Sequence, residues 1–283
     1  MEAIIRPPSE SSSFILLAML GCSNNTCTFC PSYKQRKFAF RDIYDVIDEL
    51  DKWYNNERRI FLADGDAVSI RQEDLVVLLQ YIKDKYPQVE RVSSYITPRT
   101  ALNKSLAELK ELRTLGLELV YLGVETGSDE LLKDIKKGVT RKEMIEAGRK
   151  IKKSGIKLSV TVLLGLGGKE KSKEHAKATA SILNEIQPDY IGALTLMVVK
   201  GTEFHDKVKS SEVHELENYE YLQELYWMIE GLELKSCIFR SNHASNYASV
   251  GGTLPEDKEM MLKQLKEILD NKERLKPEMF RGL

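Results

Sequence analysis

Short apolar segments of strand length alternate with longer amphipathic segments between residues 14 and 198. The longer segments repeat apolar residues at i, i+3, i+4 and i+7, as Ile43, Val46, Ile47, Leu50 and Trp53 do, which indicates helices. Six repeats of strand then helix predict an α/β fold with a parallel sheet and helices outside it. The predicted strands are residues 14–20, 60–63, 89–96, 119–124, 157–164 and 191–198.

Each predicted strand is followed by a loop of unusual composition. In parallel α/β folds, ligands bind at the carboxyl ends of the strands, where such loops converge. The six loops therefore predict a single binding site at that edge of the sheet. They are the cysteine-containing loop after the first strand and residues 64–67, 97–98, 125–128, 165–168 and 200–202.

The loop after the first strand contains three cysteines, Cys22, Cys27 and Cys30. Thiolates favour zinc, copper(I) or iron–sulfur clusters. A structural zinc site needs a fourth ligand, and no second Cys or His pair at short spacing follows. The remaining cysteine, Cys237, lies far downstream. The cysteine count therefore favours a cluster that is held by three protein thiolates and has one open iron.

Cys27-Thr28-Phe29-Cys30, preceded by Cys22, resembles the cluster loop of the radical S-adenosylmethionine (radical SAM) superfamily. The nearest resemblance is to relatives of oxygen-independent coproporphyrinogen oxidase and of the elongator catalytic subunit. The usual spacing between the cysteines is three residues and then two, whereas here it is four and then two. The resemblance implies a 4Fe–4S cluster whose fourth iron binds the amino and carboxyl groups of S-adenosylmethionine, with Phe29 near the adenine.

The resemblance also implies the architecture of the chain. Residues 1–205 are expected to form a six-stranded partial (βα)6 parallel barrel. Residues 206–283 are expected to form a helical C-terminal extension that covers the barrel mouth.

Further motifs of the resemblance cover residues 12–205. Asp64-Gly65-Asp66-Ala67 stands where the family has Gly-Gly-Glu-Pro, so Gly65 and Asp66 are expected near the methionine amino group. Asp64 and Ala67 depart from that pattern. Glu125, in Gly123-Val124-Glu125, is expected to bind the ribose hydroxyls.

Three more residues complete the expected cofactor site. Lys137 falls where the relatives carry a cation near the methionine carboxylate, although Lys133, Lys136 and Lys137 also fit a solvated helix face. Gly165 and Gly167 match the glycine-rich end of the fifth strand, where backbone approaches the adenine side of the ligand. The implied reaction is reductive cleavage of S-adenosylmethionine to methionine and a 5′-deoxyadenosyl radical that abstracts hydrogen from an unidentified substrate.

Residues 238–247 combine a short strand with a polar run that has no helical period. Arg240, Asn242, His243 and Asn246 are the candidate substrate residues, because buried polar groups need partners and binding loops supply them. Residues 253–256 are expected to cap a final helix. His175, His205 and His214 lie in Lys- and Glu-rich surroundings and are expected at the surface.

The net charge of −1 gives no general attraction for nucleic acid, but a local basic patch would keep nucleic acid as a substrate class. The expected partners are a small-molecule or peptide substrate and a one-electron reductant such as flavodoxin or ferredoxin, with no membrane. Cysteine usage favours a reducing, cytoplasmic and anaerobic setting. The lack of a second cysteine set argues against methylthiotransferase chemistry, and the lack of extra N-terminal sequence argues against a cobalamin domain.

Two other classes fit the same residues. One is a non-catalytic iron–sulfur electron carrier or sensor, with Cys237 as the fourth cluster ligand. The other is a binding module with a structural zinc ion.

Overall fold

A computed structural model describes residues 5–34, 36–271, 275–277 and 281 of the chain. The chain divides into two compact units. The first unit comprises Met1–Asn25, Ser32–Leu122 and Glu146–Leu158, and the second comprises Thr26–Pro31, Gly123–Ile145 and Ser159–Leu283.

A parallel sheet forms the centre of the first unit. The strands of this unit are β1 (Phe14–Leu16), β2 (Met19–Leu20), β3 (Ala39–Phe40), β4 (Arg59–Leu62), β5 (Arg91–Ile96) and β6 (Leu117–Glu125), the last of which ends in the second unit. The pairs β1–β4, β4–β5 and β5–β6 are parallel, and β2 and β3 form a small antiparallel ladder. The predicted first strand is therefore divided, since residues 17 and 18 belong to neither β1 nor β2.

Helices lie between these strands in the chain, as the sequence predicts. They are α1 (Ile43–Trp53), α2 (Gln72–Lys85), α3 (Pro98–Asn103) and α4 (Leu106–Thr114). The predicted inward face of α1 is buried except for Trp53, which is 63% exposed. That part of the prediction is wrong because Trp53 is the last residue of α1, and its ring there meets the Lys52 ammonium 5.0 Å from the centroid.

The second unit is also built on parallel strands. Its strands are β7 (Lys157–Leu164, which begins in the first unit), β8 (Tyr190–Thr195), β9 (Cys237–Ser241) and β10 (Val250–Leu254). The pairs β7–β8 and β8–β9 are parallel, whereas β10 runs antiparallel to β9. The helices are α5 (Asp129–Asp134), α6 (Arg141–Ser154, which ends in the first unit), α7 (Gly168–Ile186), α8 (Glu203–Lys209), α9 (Asn218–Glu230) and α10 (Lys258–Asp270).

The prediction of a mainly parallel α/β fold is confirmed, and residues 206–283 contribute two strands as well as helices. The prediction for residues 253–256 is wrong. Thr253 belongs to β10, and the residue before α10 is Asp257, whose carboxylate accepts a hydrogen bond from the Thr253 backbone N–H at 2.8 Å. The boundary at residue 205 stays a prediction.

Within the described ranges, no helix is long and apolar enough to cross a membrane.

Candidate functional site

In the first unit, two hydrogen bonds from backbone N–H groups join the loop after β2 to the turn after β4. Gly65 N–H donates to the Gly21 carbonyl at 2.8 Å, and Gly21 N–H donates to Asp64 Oδ2 at 2.7 Å. The backbone of Gly21 has φ +79°, a left-handed conformation that glycine adopts without strain. The first predicted metal ligand, Cys22, is therefore held beside the predicted cofactor turn.

Gly65 has no side chain where one would collide with the cysteine. A Cβ at this position would lie 2.6 Å from Cys22 Cβ and 2.8 Å from Cys22 Sγ. Contacts this short require the neighbouring atoms to move, and here both belong to a short side chain with little freedom. Glycine at position 65 thus lets the Cys22 thiol lie directly against the turn.

Asp64 occupies a position where the family motif has glycine, and its φ is +69°. Such a conformation is costly for most residues, although Asp and Asn tolerate it better than others. Its buried carboxylate accepts from Arg36, with Nη1 at 2.8 Å from each oxygen, in addition to the bond from Gly21. These bonds explain how an aspartate stands in the left-handed position.

Asp66 is buried, and its carboxylate is surrounded by donors. Oδ1 accepts from Thr97 N–H at 2.9 Å, and Oδ2 accepts from Thr97 Oγ1 at 2.9 Å and from Thr100 Oγ1 at 2.7 Å. Ser23 Oγ also donates to Oδ2. Burial raises the pKa of Asp66, and the bonds from Ser23, Thr100 and Thr97 act against that rise. The side chain connects the cysteine loop to the start of α3.

In the second unit, the segment with the other two cysteines is pinned at Thr28. Thr28 N–H donates to the Ile135 carbonyl and the Thr28 carbonyl accepts from Phe204 N–H, both at 3.0 Å. Cys27 is buried and Cys30 is half-buried. Residues following β6 and β8 therefore fix the backbone between these two thiols.

Phe29 packs against a buried apolar cluster in the same unit. The cluster consists of Ile135, Leu163, Leu166, Leu196 and Phe204, and Phe29 covers it as a half-buried ring. Leu166 lies between the two predicted cofactor glycines, Gly165 and Gly167. The aromatic residue of the cysteine segment and the glycine-rich loop are thus parts of one packed region.

Glu125 and Lys137 form an ion pair, with Lys137 Nζ 2.8 Å from Glu125 Oε1 and each side chain about one tenth exposed. A Cβ on Gly123 would collide with Glu125 Oε1 and lie 2.7 Å from Lys137 Nζ. Because glycine at position 123 has no side chain, it leaves room for the Glu125 carboxylate and the Lys137 ammonium to meet. Glu125 itself has φ +62°, a strained conformation of the kind that accumulates at functional sites.

Side chains of α9 contact the glycine-rich loop after β7 and fix its conformation. Gly165 has φ +91°, and its N–H donates to Glu224 Oε1 at 2.7 Å. A Cβ at this position would collide with the Tyr221 ring. Gly168 N–H then donates to the Gly165 carbonyl at 3.1 Å and closes the turn. Both the conformation and the close ring require glycine at position 165.

A buried polar network without a signature in the sequence supports this loop. Ser172 Oγ donates to Glu224 Oε2 at 2.5 Å, and His175 Nδ1 lies 3.0 Å from Glu224 Oε1. His175 is 2% exposed, so its expected surface position is wrong. The helical period shows why, because Ser172, His175 and Thr179 share the buried face of α7. Glu224 likewise lies on the apolar face of α9.

Three of the four candidate substrate residues line one cleft, namely Asn242, His243 and Asn246. Arg240 is exposed on β9. Asn246 is buried, where Oδ1 accepts from Thr195 N–H at 2.6 Å and Nδ2 donates to the Ala193 carbonyl at 2.8 Å. Its carboxamide therefore supports the end of β8.

Comparison with known proteins identifies the family. A sequence model of the Radical SAM superfamily matches residues 16–181, which is more than half of the chain and includes Cys22, Cys27 and Cys30. This chain belongs to the radical SAM superfamily. The predicted family is therefore confirmed, and the cofactors of this superfamily are a 4Fe–4S cluster and S-adenosylmethionine, as the sequence suggested.

Individual relatives of this radical SAM chain are distant. It is 26% identical to the tRNA-2-methylthio-N(6)-dimethylallyladenosine synthase of Desulforamulus reducens over 70% of this chain and 46% of that protein. It is 24% identical to the heme chaperone HemW of Bacillus subtilis over 69% of this chain and 50% of that protein. The chain thus spans half or less of the length of these curated relatives.

The fold has a solved counterpart. Coproporphyrinogen III oxidase (HemN) from Escherichia coli, whose structure is that of a radical SAM enzyme, aligns with a TM-score of 0.59 and 14% identity, covering 77% of this chain and 52% of that one. This likeness confirms the predicted partial parallel α/β barrel of the radical SAM type.

The local structure fits the superfamily's cluster at two points. The donors are thiols outside any disulfide, which is the ligand type that iron–sulfur clusters require. The Cys22 thiol also lies against a glycine, so no side chain of residue 65 occupies the space beside it. Among the described residues, however, no three or more His, Cys, Asp or Glu side chains form a ready metal site.

Cys237 occupies a different part of the second unit from Cys27 and Cys30. It is the first residue of β9 and is buried at the amino end of that strand. The segment around Thr28 is bonded to residues that follow the carboxyl ends of β6 and β8. Because β8 and β9 are parallel, this placement gives no support to Cys237 as a fourth ligand.

Proposed function

We propose that this chain is a radical SAM enzyme in which Cys22, Cys27 and Cys30 hold a 4Fe–4S cluster. When bound, that cluster supplies one electron for cleavage of S-adenosylmethionine to methionine and a 5′-deoxyadenosyl radical, which removes hydrogen from the substrate. The observation that supports this most is the presence of all three cysteines within the region that matches the superfamily. Their spacing within nine residues allows them to surround one cluster.

The turn after β4 has two roles in this proposal. Gly65 gives the ligand's methionine end a close approach to the backbone beside Cys22. The Asp66 side chain is occupied by its bonds to Ser23, Thr97 and Thr100, so it holds the turn in place while the backbone faces the methionine amino group. This division assigns binding to the backbone and support to the carboxylate.

Glu125 and Lys137 position the ribose and carboxylate of the ligand. A carboxylate accepts hydrogen bonds from two adjacent hydroxyls, and Glu125 keeps acceptor capacity beyond its bond to Lys137. Lys137 orients Glu125 and places a positive charge where the methionine carboxylate is expected. The buried position of both groups excludes water and strengthens these interactions.

Phe29, Gly165 and Gly167 form the adenine side of the proposed site. The Phe29 ring packs on the apolar cluster that contains Leu166, so an aromatic face and a side-chain-free backbone are supplied by one packed region. The bond from Gly165 N–H to Glu224 keeps that backbone in its left-handed turn.

The proposed partners follow from the reaction. A one-electron reductant such as flavodoxin or ferredoxin supplies the electron, and a reducing, cytoplasmic compartment preserves the thiolates. We propose residues 1–205 as the barrel core and residues 206–283 as the part that governs access of a small-molecule or peptide substrate. A nucleic acid substrate remains an alternative, because one relative is named for the modification of a tRNA base.

The test is cofactor cleavage by the anaerobically reconstituted, dithionite-reduced protein. We expect 5′-deoxyadenosine from S-adenosylmethionine, and we expect Cys27→Ala to abolish its formation because the cluster loses a ligand. Cys237→Ala is the matched control and should retain the cluster and the product. Loss of the cluster from Cys237→Ala as well as from Cys27→Ala would favour the electron-carrier class, in which Cys237 is the fourth ligand, and would contradict the proposal.

A further inference from the structure

A cleft lies at the carboxyl end of β9 in the second unit. It has a volume of about 270 Å³ and is lined on one side by the loop that joins β9 to β10 and on the other by α10 and Lys276. This volume is near the lower end of the range for small-molecule sites, so the cleft holds one chemical group of a larger ligand. The residues that define its chemistry are Asn242, His243, Tyr247, Gln264, Ile268 and Lys276.

The charge in this cleft is of one sign. Lys276 brings an ammonium group to the lining, and none of the described residues that line the cleft is Asp or Glu. A second cation, Arg281, lies 4.1 Å from the centroid of the Tyr247 ring and donates to the Tyr247 hydroxyl at 2.5 Å. Among the described lining residues, therefore, no carboxylate balances the positive charge of Lys276.

His243 adds a directed donor. The backbone N–H of Ser245 donates to His243 Nδ1 at 3.1 Å, so the neutral ring carries its proton on Nε2. Nδ1 is therefore committed to its own loop through Ser245, whose hydroxyl is also within 2.8 Å. Nε2–H and the Asn242 amide remain as neutral donors for a ligand in the cleft.

The electrostatic surroundings of His243 also favour an anion in the cleft. Burial lowers the pKa of His243, and the charge of Lys276 lowers it further. Among the described residues, Ser245 is bonded to the ring, Lys276 is the charge that acts on it, and the other residues that line the cleft, such as Tyr247, Gln264 and Ile268, are uncharged. A negative charge in the cleft would oppose both effects and favour the imidazolium form, whose Nδ1–H can donate to the Ser245 hydroxyl.

The cleft is connected to the proposed cofactor loop through two aromatic rings. Tyr247 lines the cleft and stacks on Tyr221, with ring centroids 5.7 Å apart and an interplanar angle of 25°. Tyr221 in turn packs against Gly165. Because β7, β8 and β9 are parallel, their carboxyl ends lie at one edge of the sheet, so the cleft and the glycine-rich loop share that edge.

We propose that this cleft binds an anionic group of the substrate, a phosphate or a carboxylate, through Lys276, His243 and Asn242. The assignment of the anion to the substrate rests on the proposed radical SAM function. The capacity of the cleft to bind an anion does not, because every residue involved belongs to the second unit and none is a predicted ligand of the cluster.

The test is isothermal titration calorimetry of the anaerobically prepared protein with inorganic phosphate and, separately, with acetate. We expect one saturable site. With acetate, which stays ionised throughout this range, binding should be tighter at pH 6 than at pH 7.5 and should be accompanied by proton uptake, detected as a dependence of the enthalpy on the buffer. Lys276→Gln should weaken binding about tenfold, as for the loss of a charged hydrogen bond. His243→Gln should abolish the proton uptake.

Lys263→Gln is the matched control, because Lys263 is an exposed lysine of α10 that does not line the cleft. Equal weakening by Lys263→Gln and Lys276→Gln would show diffuse charge attraction and overturn the proposal. An absence of saturable binding to both anions would also overturn it. These titrations contain no S-adenosylmethionine or reductant, so their failure is distinct from a failure to form 5′-deoxyadenosine.

The two anions differ in what they reveal. Tighter binding of phosphate than of acetate would identify a phosphorylated substrate group, and the reverse would identify a carboxylate. A preference for either anion supports the proposal, provided that the preference is lost in Lys276→Gln.

Discussion

Two buried carboxylates stand in the proposed cofactor loops, and they have different surroundings. Asp66 accepts from hydroxyls and a backbone N–H of its own unit, namely those of Ser23, Thr97 and Thr100. Glu125 is bonded through one oxygen to Lys137. One carboxylate therefore holds the protein together, whereas the other retains the charge partner and the acceptor capacity that a ligand needs.

The largest effect is expected from Gly65→Ala, which tests whether the turn braced by Asp66 must approach Cys22. The added Cβ would collide with Cys22 Cβ and Sγ, so the thiol or the turn must move. We expect loss of most of the iron after anaerobic reconstitution, measured by iron and sulfide analysis. Gly192→Ala is the control, because its nearest contacts of 3.6 and 4.0 Å are ordinary ones. Full iron loading of Gly65→Ala would contradict the close packing.

The next effect concerns Asp66 and separates support from binding. Asp66→Ala leaves the Thr97 N–H and neighbouring hydroxyls without their buried acceptor, so the free energy of unfolding should fall by about 2 to 3 kcal/mol. Asp66→Asn should cost less, because the hydroxyls can also donate to or accept from an amide. Denaturant unfolding of the full chain measures both. An unchanged stability in Asp66→Ala would show that the carboxylate is not a brace.

A different pattern is expected for Glu125. Glu125→Gln retains the shape of the side chain but leaves the nearly buried Lys137 ammonium without its ion partner, so the free energy of unfolding should also fall. In addition, the affinity for S-adenosylmethionine should fall by about tenfold or more through loss of charged hydrogen bonds. Titration calorimetry of the cluster-loaded protein measures the affinity. Glu130→Gln is the control, because Glu130 pairs with Lys171 at the surface. A loss of stability without a loss of affinity would reverse the roles of the two carboxylates.

The smallest effect is a pH dependence of stability at His243, outside both loops. Its pKa in the folded protein is lowered from 6.5 by burial and by Lys276, so the unfolded chain binds more protons as the pH falls below about 6.5. The contribution of His243 to stability is therefore present above that pH and is lost on acidification. Between pH 7.5 and pH 5.5, the free energy of unfolding should fall less for His243→Gln than for the wild-type protein. An equal loss in both proteins would contradict the shift.

The fold was predictable because its signals are local and repetitive. The strand predicted over residues 157–164, for example, is β7. Trp53 and Thr253 were misjudged because helix ends and short strand pairs depend on tertiary packing as well as on local pattern.

The site was only partly predictable, for a related reason. The cysteines and glycines have sequence signatures, but partners distant in the chain do not. Neither the ion pair of Arg36 with Asp64 nor the hydrogen bond of Gly165 with Glu224 could be inferred from spacing in the sequence. His175 was misjudged because its charged neighbours in sequence lie on the other face of α7, so the helical period was the better guide to its burial.

The most direct test of the central claim is the electron paramagnetic resonance spectrum of the reduced, reconstituted protein before and after addition of S-adenosylmethionine. An open iron that binds the amino and carboxyl groups of the cofactor predicts a 4Fe–4S signal whose g values change on addition, and predicts that the change is retained in Cys237→Ala. If the protein holds its full complement of cluster and the g values do not change on addition of S-adenosylmethionine, that result would contradict a radical SAM site and would indicate a cluster with no open iron.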